Sequence, residues 1–187
     1  MSKGTLFVIS SPSGGGKSTI ISRLLKNDKN LKYSVSATTR KPRKGEVNGI
    51  DYYFLSENEF KEKIKKGEFL EWAEVHNNYY GTLRSQIENT LNRGHNVILD
   101  IDVQGGSSVK KIMPEAVLIF LMPPSLEELE KRLRNRGTDS EEDIKKRLEN
   151  ARHEIDQSSK YDFKVVNNEI SETVTMVEKI IKQFNEV

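Results

Sequence analysis

The run Ser13-Gly14-Gly15-Gly16-Lys17-Ser18-Thr19 follows a short apolar stretch, Thr5 to Ser10, and leads into Ser18 to Lys26, whose apolar residues fall at Ile20, Ile21, Leu24 and Leu25. The spacing predicts strand, glycine-rich turn and helix in that order. In that context a Gly-Lys-Ser sequence reads as a phosphate-binding loop. Its glycines let several backbone N–H groups converge on phosphate oxygens, and the helix contributes its positive end. Lys17 is expected at the β- and γ-phosphates of ATP, and the Ser18 hydroxyl at Mg²⁺. The common form of the loop has glycine where this chain has Ser11, a departure that matters only if the backbone there needs glycine's freedom.

Further along, Val97 to Ile101 and Ala116 to Met122 read as buried strands, with a helix near Ser107 to Met113 between them. Pro123-Pro124 stops the second strand. Ser125 with Glu128, and Ser140 with Asp143, have the spacing of capping boxes and open two further helices. Phe163 to Val166 reads as a fourth strand, and Val174, Val177, Ile180, Ile181 and Phe184 form the apolar stripe of a last helix. Short apolar strands alternating with helices predict an α/β fold, a parallel sheet with helices on both faces. The segment from Ser34 to Arg93 breaks the alternation. Pieces such as Asp51-Tyr52-Tyr53-Phe54-Leu55 predict a small β-rich insertion, closed by a helix near Leu83 to Asn92, at the place where substrate pockets form in such sheets. The strand ending Leu99-Asp100-Ile101-Asp102 brings carboxylates to the same edge, where one can stand beside the nucleotide's metal.

Composition removes several classes of function. Thirty Lys and Arg against 28 Asp and Glu leave a formal charge of +2, which provides no global field for nucleic acid or an anionic membrane, so any anion site is local. The chain has no cysteine, which excludes disulfides, thiolate zinc sites and a cysteine nucleophile. His76, His95 and His153 show no ligand spacing. Apolar runs fall well short of the roughly 18 residues that a spanning helix requires, and the first ten residues are too briefly apolar for a signal peptide. A cytoplasmic protein is the expectation. Its 187 residues fit one domain, and a monomer and a homo-oligomer are both compatible with them.

Arg40-Lys41-Pro42-Arg43 holds two arginines three apart about a stiffening proline, able to present planar forks to one phosphate. Together with Ser36-Ala37-Thr38-Thr39, Gly49-Ile50-Asp51-Tyr52-Tyr53-Phe54, Phe69-Leu70-Glu71-Trp72-Ala73, Asn78-Tyr79-Tyr80-Gly81-Thr82, Leu99 to Gly105 and Arg134-Asn135-Arg136-Gly137-Thr138, it resembles the guanylate kinase family over nearly the whole chain.

The resemblance implies a P-loop core of about residues 1–33, 94–125 and 160–187, a GMP-binding insertion of about 34–93, and a helical lid with its flanks at about 126–159. It implies transfer of the ATP γ-phosphoryl group to GMP with Mg²⁺. Ser13 to Thr19 would bind ATP. Arg40, Arg43, Tyr52 and Tyr80 would hold the GMP phosphate, and Ser36, Glu71 and Thr82 would read guanine. Asp100 and Asp102 match an acidic pair that serves GMP and the metal, Asp100 being placed with Ser18 at the metal. Arg132, Arg136 and Arg147 would face the ATP phosphates and, with Lys17 and Arg40, carry catalysis. Two alternatives stand beside this reading. A non-catalytic protein-binding module of the same fold would usually lack an intact phosphate loop, and a kinase for another nucleotide would replace the guanine-reading set.

Overall fold

The structure is a computed structural model that describes residues 2–135, 137 and 139–184. In chain order its elements are β1 (Leu6–Ser10), α1 (Lys17–Asn27), β2 (Leu31–Tyr33), β3 (Ala37–Thr38), β4 (Tyr53–Phe54), α2 (Glu57–Lys65), β5 (Phe69–Val75), β6 (Asn78–Leu83) and α3 (Arg84–Asn92). There follow β7 (Asn96–Asp100), α4 (Val103–Ile112), β8 (Val117–Met122), α5 (Leu126–Asn135), α6 (Glu141–Gln157), a 3₁₀ turn at Ser158–Lys160, β9 (Phe163–Val166) and α7 (Ile170–Gln183).

The main sheet has the order β2-β7-β1-β8-β9, and every neighbouring pair in it is parallel. All five residues of β1 are buried, as expected of a central strand covered on both faces. Its alternate side chains reach opposite layers. Phe7 and Ile9 pack with Ile20 and Leu24 of α1 and with Val177 and Ile181 of α7, whereas Leu6 and Val8 pack with Ile87 and Leu91 of α3 and with Val109 of α4. Registry pairs Ile9 with Asp100 and Ser10 with Phe120, so the carboxyl ends of β1, β7 and β8 open at one edge.

The insertion builds a second sheet of order β4-β3-β6-β5. β5 and β6 form a hairpin whose two-residue turn, His76-Asn77, has positive φ at both positions (49° and 60°), the backbone that matches strand twist. Ala37, Phe60, Phe69 and Leu83 make a separate small core beneath this sheet. Leu129, Leu133 and Ala151 join α5 to α6 in another.

Several boundaries differ from expectation. α4 begins at Val103, four residues ahead of the predicted start, because Asp102 caps it by accepting the Gly105 N–H at 2.8 Å. Gly105 and Gly106, ahead of the predicted start, are both helical and buried, and a Cβ on Gly106 would stand 2.6 Å from the Tyr161 hydroxyl. The Ser140–Asp143 capping box forms with both of its bonds. At Ser125 the hydroxyl accepts Glu128 N–H at 3.1 Å, while the Glu128 carboxylate turns to Arg132 Nε at 3.2 Å. β2 and α2 have no counterpart in the sequence reading. β2 is three residues long with one buried side chain, and α2 buries only Phe60. No helix among the described residues is long and apolar enough to cross a membrane.

Phe60 is fully buried and stacks on Phe69 (4.3 Å between centroids) and Tyr79 (5.4 Å). Phe60→Ala is expected to lower stability by about 3–5 kcal/mol, read as a lower urea midpoint with the CD spectrum of the remaining folded protein unchanged.

Candidate active site

The turn between β1 and α1 is shaped by two left-handed glycines, Gly14 (φ 88°) and Gly16 (φ 83°). Gly16 is the N-cap of α1 and contributes no side chain, so the first-turn N–H groups face the loop, and no acidic residue in that turn competes for them. Gly15 N–H closes the turn onto the Pro12 carbonyl at 2.8 Å. Non-glycine residues with positive φ are His76 and Asn77 alone among those described, so Ser11 sits on ordinary backbone and its departure from glycine costs the loop nothing. The loop from Ser11 to Thr19 lines a cavity of about 350 Å³ together with Glu154 of α6. Ser13, Ser18 and Thr19 are exposed on it.

Lys17 leaves the first turn of α1 and crosses to β7. Its Nζ lies 2.5 Å from Asp100 Oδ1 and donates to the Ile101 carbonyl at 3.2 Å. Two arginines approach the loop from the far side of the cleft: Arg147 donates to Ser13 Oγ at 2.9 Å and pairs with Asp139 at 3.3 Å, and Arg132 donates to the Asn167 carbonyl at 3.2 Å. Arg136 lies outside the described residues.

On the insertion, Arg40 makes a two-pronged pair with Glu46 at 2.7 and 3.0 Å and stands 5.3 Å from the Tyr52 ring centroid; the Tyr52 and Tyr80 rings are 6.1 Å apart. The Arg40 guanidinium, followed by the Arg43 N–H, holds Glu46 below the usual carboxylate range. Arg43 is exposed, and it is its backbone N–H that bonds Glu46, at 2.6 Å. Arg40, Arg43, Tyr52 and Tyr80 thus occupy one corner.

Cross-strand pairing of β5 with β6 brings Glu71 opposite Thr82, whose hydroxyl donates to Glu71 Oε1 at 2.7 Å. Burial pushes the Glu71 carboxyl up, the Thr82 bond opposes this, and the negative charge of Asp102 adds to it. Ser36, half-buried, precedes β3 and accepts Tyr53 N–H on its carbonyl at 2.9 Å. Glu71 and Asp102 share a cavity of about 230 Å³. Asp102 and Gln104 continue into a cleft of about 670 Å³ that reaches Glu154, which in turn borders the loop cavity. Shared lining residues thus place these three cavities in succession from the glycine loop to Glu71.

Three contributors were absent from the sequence reading. Asn167, at the carboxyl end of β9, donates to the Gly15 carbonyl at 2.7 Å, and Gly16 leaves it the room. Glu46 neutralises Arg40, and Tyr161 bonds Ser10 at 2.7 Å. Position just past a parallel strand was the available signal for Asn167; the partners of Ser10 and Gly15 lie 151 and 152 residues away.

The family model for guanylate kinase matches residues 3–184. The chain belongs to the guanylate kinase family. A guanylate kinase from Fusobacterium nucleatum is 52% identical over 97% of this chain and 98% of its own, and one from Rickettsia felis is 49% identical over 96% and 93%. The crystal structure of guanylate kinase from Anaplasma phagocytophilum superposes with a TM-score of 0.74 at 39% identity, covering 97% of this chain and 86% of that one. A fragment of tight junction protein 3 reaches a TM-score of 0.53 at 8% identity over 59% of its length, a likeness to the guanylate kinase fold alone.

The Glu71 environment has a measurable consequence. Its carboxyl holds a proton more tightly folded than unfolded, so between the ordinary value of 4.5 and the raised one the folded state carries more protons, and this group's contribution to stability is lost as pH rises through that window. Above the window the ionised, buried carboxylate opposes folding. Glu71→Gln is therefore expected to have a higher urea midpoint than the wild type at neutral pH, with the gap closing toward about pH 4, as measured by unfolding titrations of both proteins across that range.

Proposed function

We infer that this chain is an ATP:GMP phosphotransferase, which gives ADP and GDP and so serves guanine nucleotide metabolism. The observation that carries the reading is the succession of cavities from a phosphate loop with its lysine and serine to the Glu71–Thr82 pair. The relatives are kinases by name, and nothing in them favours the non-catalytic alternative.

A GMP phosphate oxygen attacks the γ-phosphorus of ATP, the bond to the β,γ-bridging oxygen breaks, and ADP leaves; no side-chain nucleophile is needed, and the protein's work is positioning and charge neutralisation. The N–H groups of Gly14 to Thr19 and the start of α1 take the ATP phosphates. Lys17 turns from Asp100 toward the transferring group, a short move for a flexible stem. Arg132, Arg136 and Arg147 balance the charge that develops there, and Arg147 already rests on the loop through Ser13. Arg40, Arg43, Tyr52 and Tyr80 hold the GMP phosphate, with Arg40 exchanging one anion, Glu46, for another.

Asp100 and Ser18 present hard oxygen donors beside the loop. No cluster of three or more His, Cys, Asp or Glu able to cage a metal occurs among the described residues, which fits an ion that takes one or two protein oxygens and completes its shell with phosphate and water, as Mg²⁺ does. When bound, it would neutralise phosphate charge.

Glu71 selects the base. Guanine presents N1–H and the N2 amino group as adjacent donors to its carboxylate, and its O6 suits a hydroxyl or N–H donor, with Ser36 and Thr82 flanking. Adenine opposes an unprotonated N1 to the same carboxylate, and a buried mismatch of this kind gives discrimination of about 10⁴ or more.

Lys17→Met should retain the wild-type CD spectrum and unfolding midpoint while losing about 10²-fold or more in kcat; near-normal turnover would remove Lys17 from the mechanism. In coupled assays of ADP release with ATP and GMP, AMP, UMP or CMP, GMP should be the efficient acceptor. Glu71→Gln should lower kcat/KM for GMP steeply with little change in ATP affinity, and survival of both the efficiency and the GMP-over-AMP preference would overturn the assignment of Glu71.

A further inference from the structure

We propose that Tyr161 and Ser10 are positioning residues for Lys17, acting through the carbonyl oxygen of Ile101. The inference rests on the reading of the chain as an ATP:GMP phosphotransferase. It begins from a gap in the sheet. The pairing of β1 with β7 ends at Ile9 and Asp100, so Ile101, one residue on, lies beyond the ladder. Its carbonyl oxygen is held by side chains, and it has two lone pairs. One accepts Lys17 Nζ at 3.2 Å, and the other accepts Ser10 Oγ at 2.7 Å.

Ser10 is the last residue of β1 and is fully buried. Its single hydroxyl proton is directed to Ile101 because its oxygen is already occupied as an acceptor by the Tyr161 hydroxyl, at 2.7 Å. The Asp102 carbonyl, at 3.4 Å, is a more distant and correspondingly weaker acceptor for it. A line of bonds therefore runs from Tyr161 OH to Ser10 Oγ to Ile101 O, which Lys17 also reaches.

The surroundings are built around the tyrosine hydroxyl. Tyr161 is buried, with its ring edge-on to Phe120 at 5.2 Å between centroids. Gly106 of α4 leaves the space that the hydroxyl occupies, since a Cβ there would stand 2.6 Å from it. Burial pushes the phenol up to about 12, which keeps it a donor throughout the range in which a kinase works. A merely apolar contact with Phe120 would be met as well by phenylalanine, without a glycine set aside in a buried helix.

The chemical reason for such a device lies in the stem of Lys17. Four rotatable carbons end in a compact charge, and a misplacement of about 1 Å at a phosphoryl transfer site can cost on the order of 10²-fold. A fixed carbonyl restricts where that ammonium rests before and after it meets phosphate. Asp100 supplies the attraction, and Ile101 O supplies the direction.

The test uses the full chain in three forms: Tyr161→Phe, Ser10→Ala and the double variant, each compared with the wild type. Tyr161→Phe keeps the ring and removes one atom, so a folded protein is expected. Steady-state assays should show kcat lowered about tenfold, with KM for GMP within about twofold because the acceptor site is untouched. The double variant should be no slower than Ser10→Ala alone, as expected of groups that act through one another. The second readout does not depend on activity: the ¹³Cε signal of Lys17, assigned by its loss in Lys17→Met, should move in Tyr161→Phe. A structural role alone would lower the unfolding midpoint and leave kcat per folded molecule and the Lys17 signal where they were, and that result would overturn the proposal. Should the wild type itself fail to phosphorylate GMP, the functional reading falls. The positioning role is then decided by the Lys17 signal, its movement supporting the role and its constancy refuting it.

Discussion

The meeting of Lys17 with Asp100 depends on one constraint, the parallel pairing of β1 with β7. Because the two strands run in the same direction in register from Leu6 with Val97 to Ile9 with Asp100, the loops at their carboxyl ends emerge on the same edge. After β1 comes the glycine loop, and after β7 come Ile101 and Asp102. An antiparallel neighbour would deliver its own start to that edge and place Asp100 at the opposite end. The buried residues on both faces of β1 hold this register, since a slip of one residue would exchange the Phe7–Ile9 layer with the Leu6–Val8 layer. The core and the site are thus fixed by one pattern of side chains.

A second regularity is the way cationic groups are stationed. Lys17 faces Asp100, Arg40 faces Glu46, Arg147 faces Asp139 and Arg132 faces Glu128. With a formal charge of only +2, the chain cannot attract nucleotides by a broad field, so it concentrates cations locally and steadies each with a carboxylate. Such pairs near a surface contribute little to stability. Their value is geometric. A guanidinium whose fork is already set against Glu46 loses less freedom on meeting a phosphate than one that must first be ordered.

How much of this was legible in the sequence depends on the distance over which each feature is determined. The loop and the strands around it are local, so the β1, β7, β8 and β9 segments fall within a residue or two of their predicted ranges. α2 was legible locally yet absent from the sequence reading: Ser56 and Glu59 form the same two-bond capping box as Ser140 and Asp143, with acidic residues in the first turn and lysines in the last, whereas the burial of its one core side chain, Phe60, against Phe69 and Tyr79 depends on β5 and β6. The early start of α4 was hidden by two glycines whose purpose is clear only once Tyr161 and Ile101 are beside them. At the site, Lys17 and Ser18 came from spacing, whereas Glu71, Ser36 and Thr82 carried no periodic signal and were named only through family resemblance. The strand register that brings Glu71 against Thr82 belongs to a hairpin set by the His76-Asn77 turn. Asn167 and Tyr161 act across more than 150 positions, beyond any window of sequence.

The insertion shows why a selective site resists being the most stable arrangement of its residues. In its proposed role Glu71 is a charged, half-buried acceptor, conditions under which a wrong hydrogen-bond pattern is costly. Burial raises its carboxyl and Asp102 adds repulsion, with bonds from the Thr82 hydroxyl and backbone to offset them. A more stable insertion would pair Glu71 with a cation or replace it, and either change would satisfy the carboxylate before guanine arrived. Arg40 is the contrasting case: it already holds a carboxylate, Glu46, through two bonds, and in its proposed role it exchanges that anion for a phosphate. On the proposed reading, the insertion thus leaves its base-reading anion without a cation and supplies its phosphate-reading cation with a carboxylate. The difference lies in partners rather than burial, since all three side chains are half-buried: a cation that already faces one carboxylate can exchange it for a phosphate, while a carboxylate with no cation beside it accepts a ligand whose donors match it.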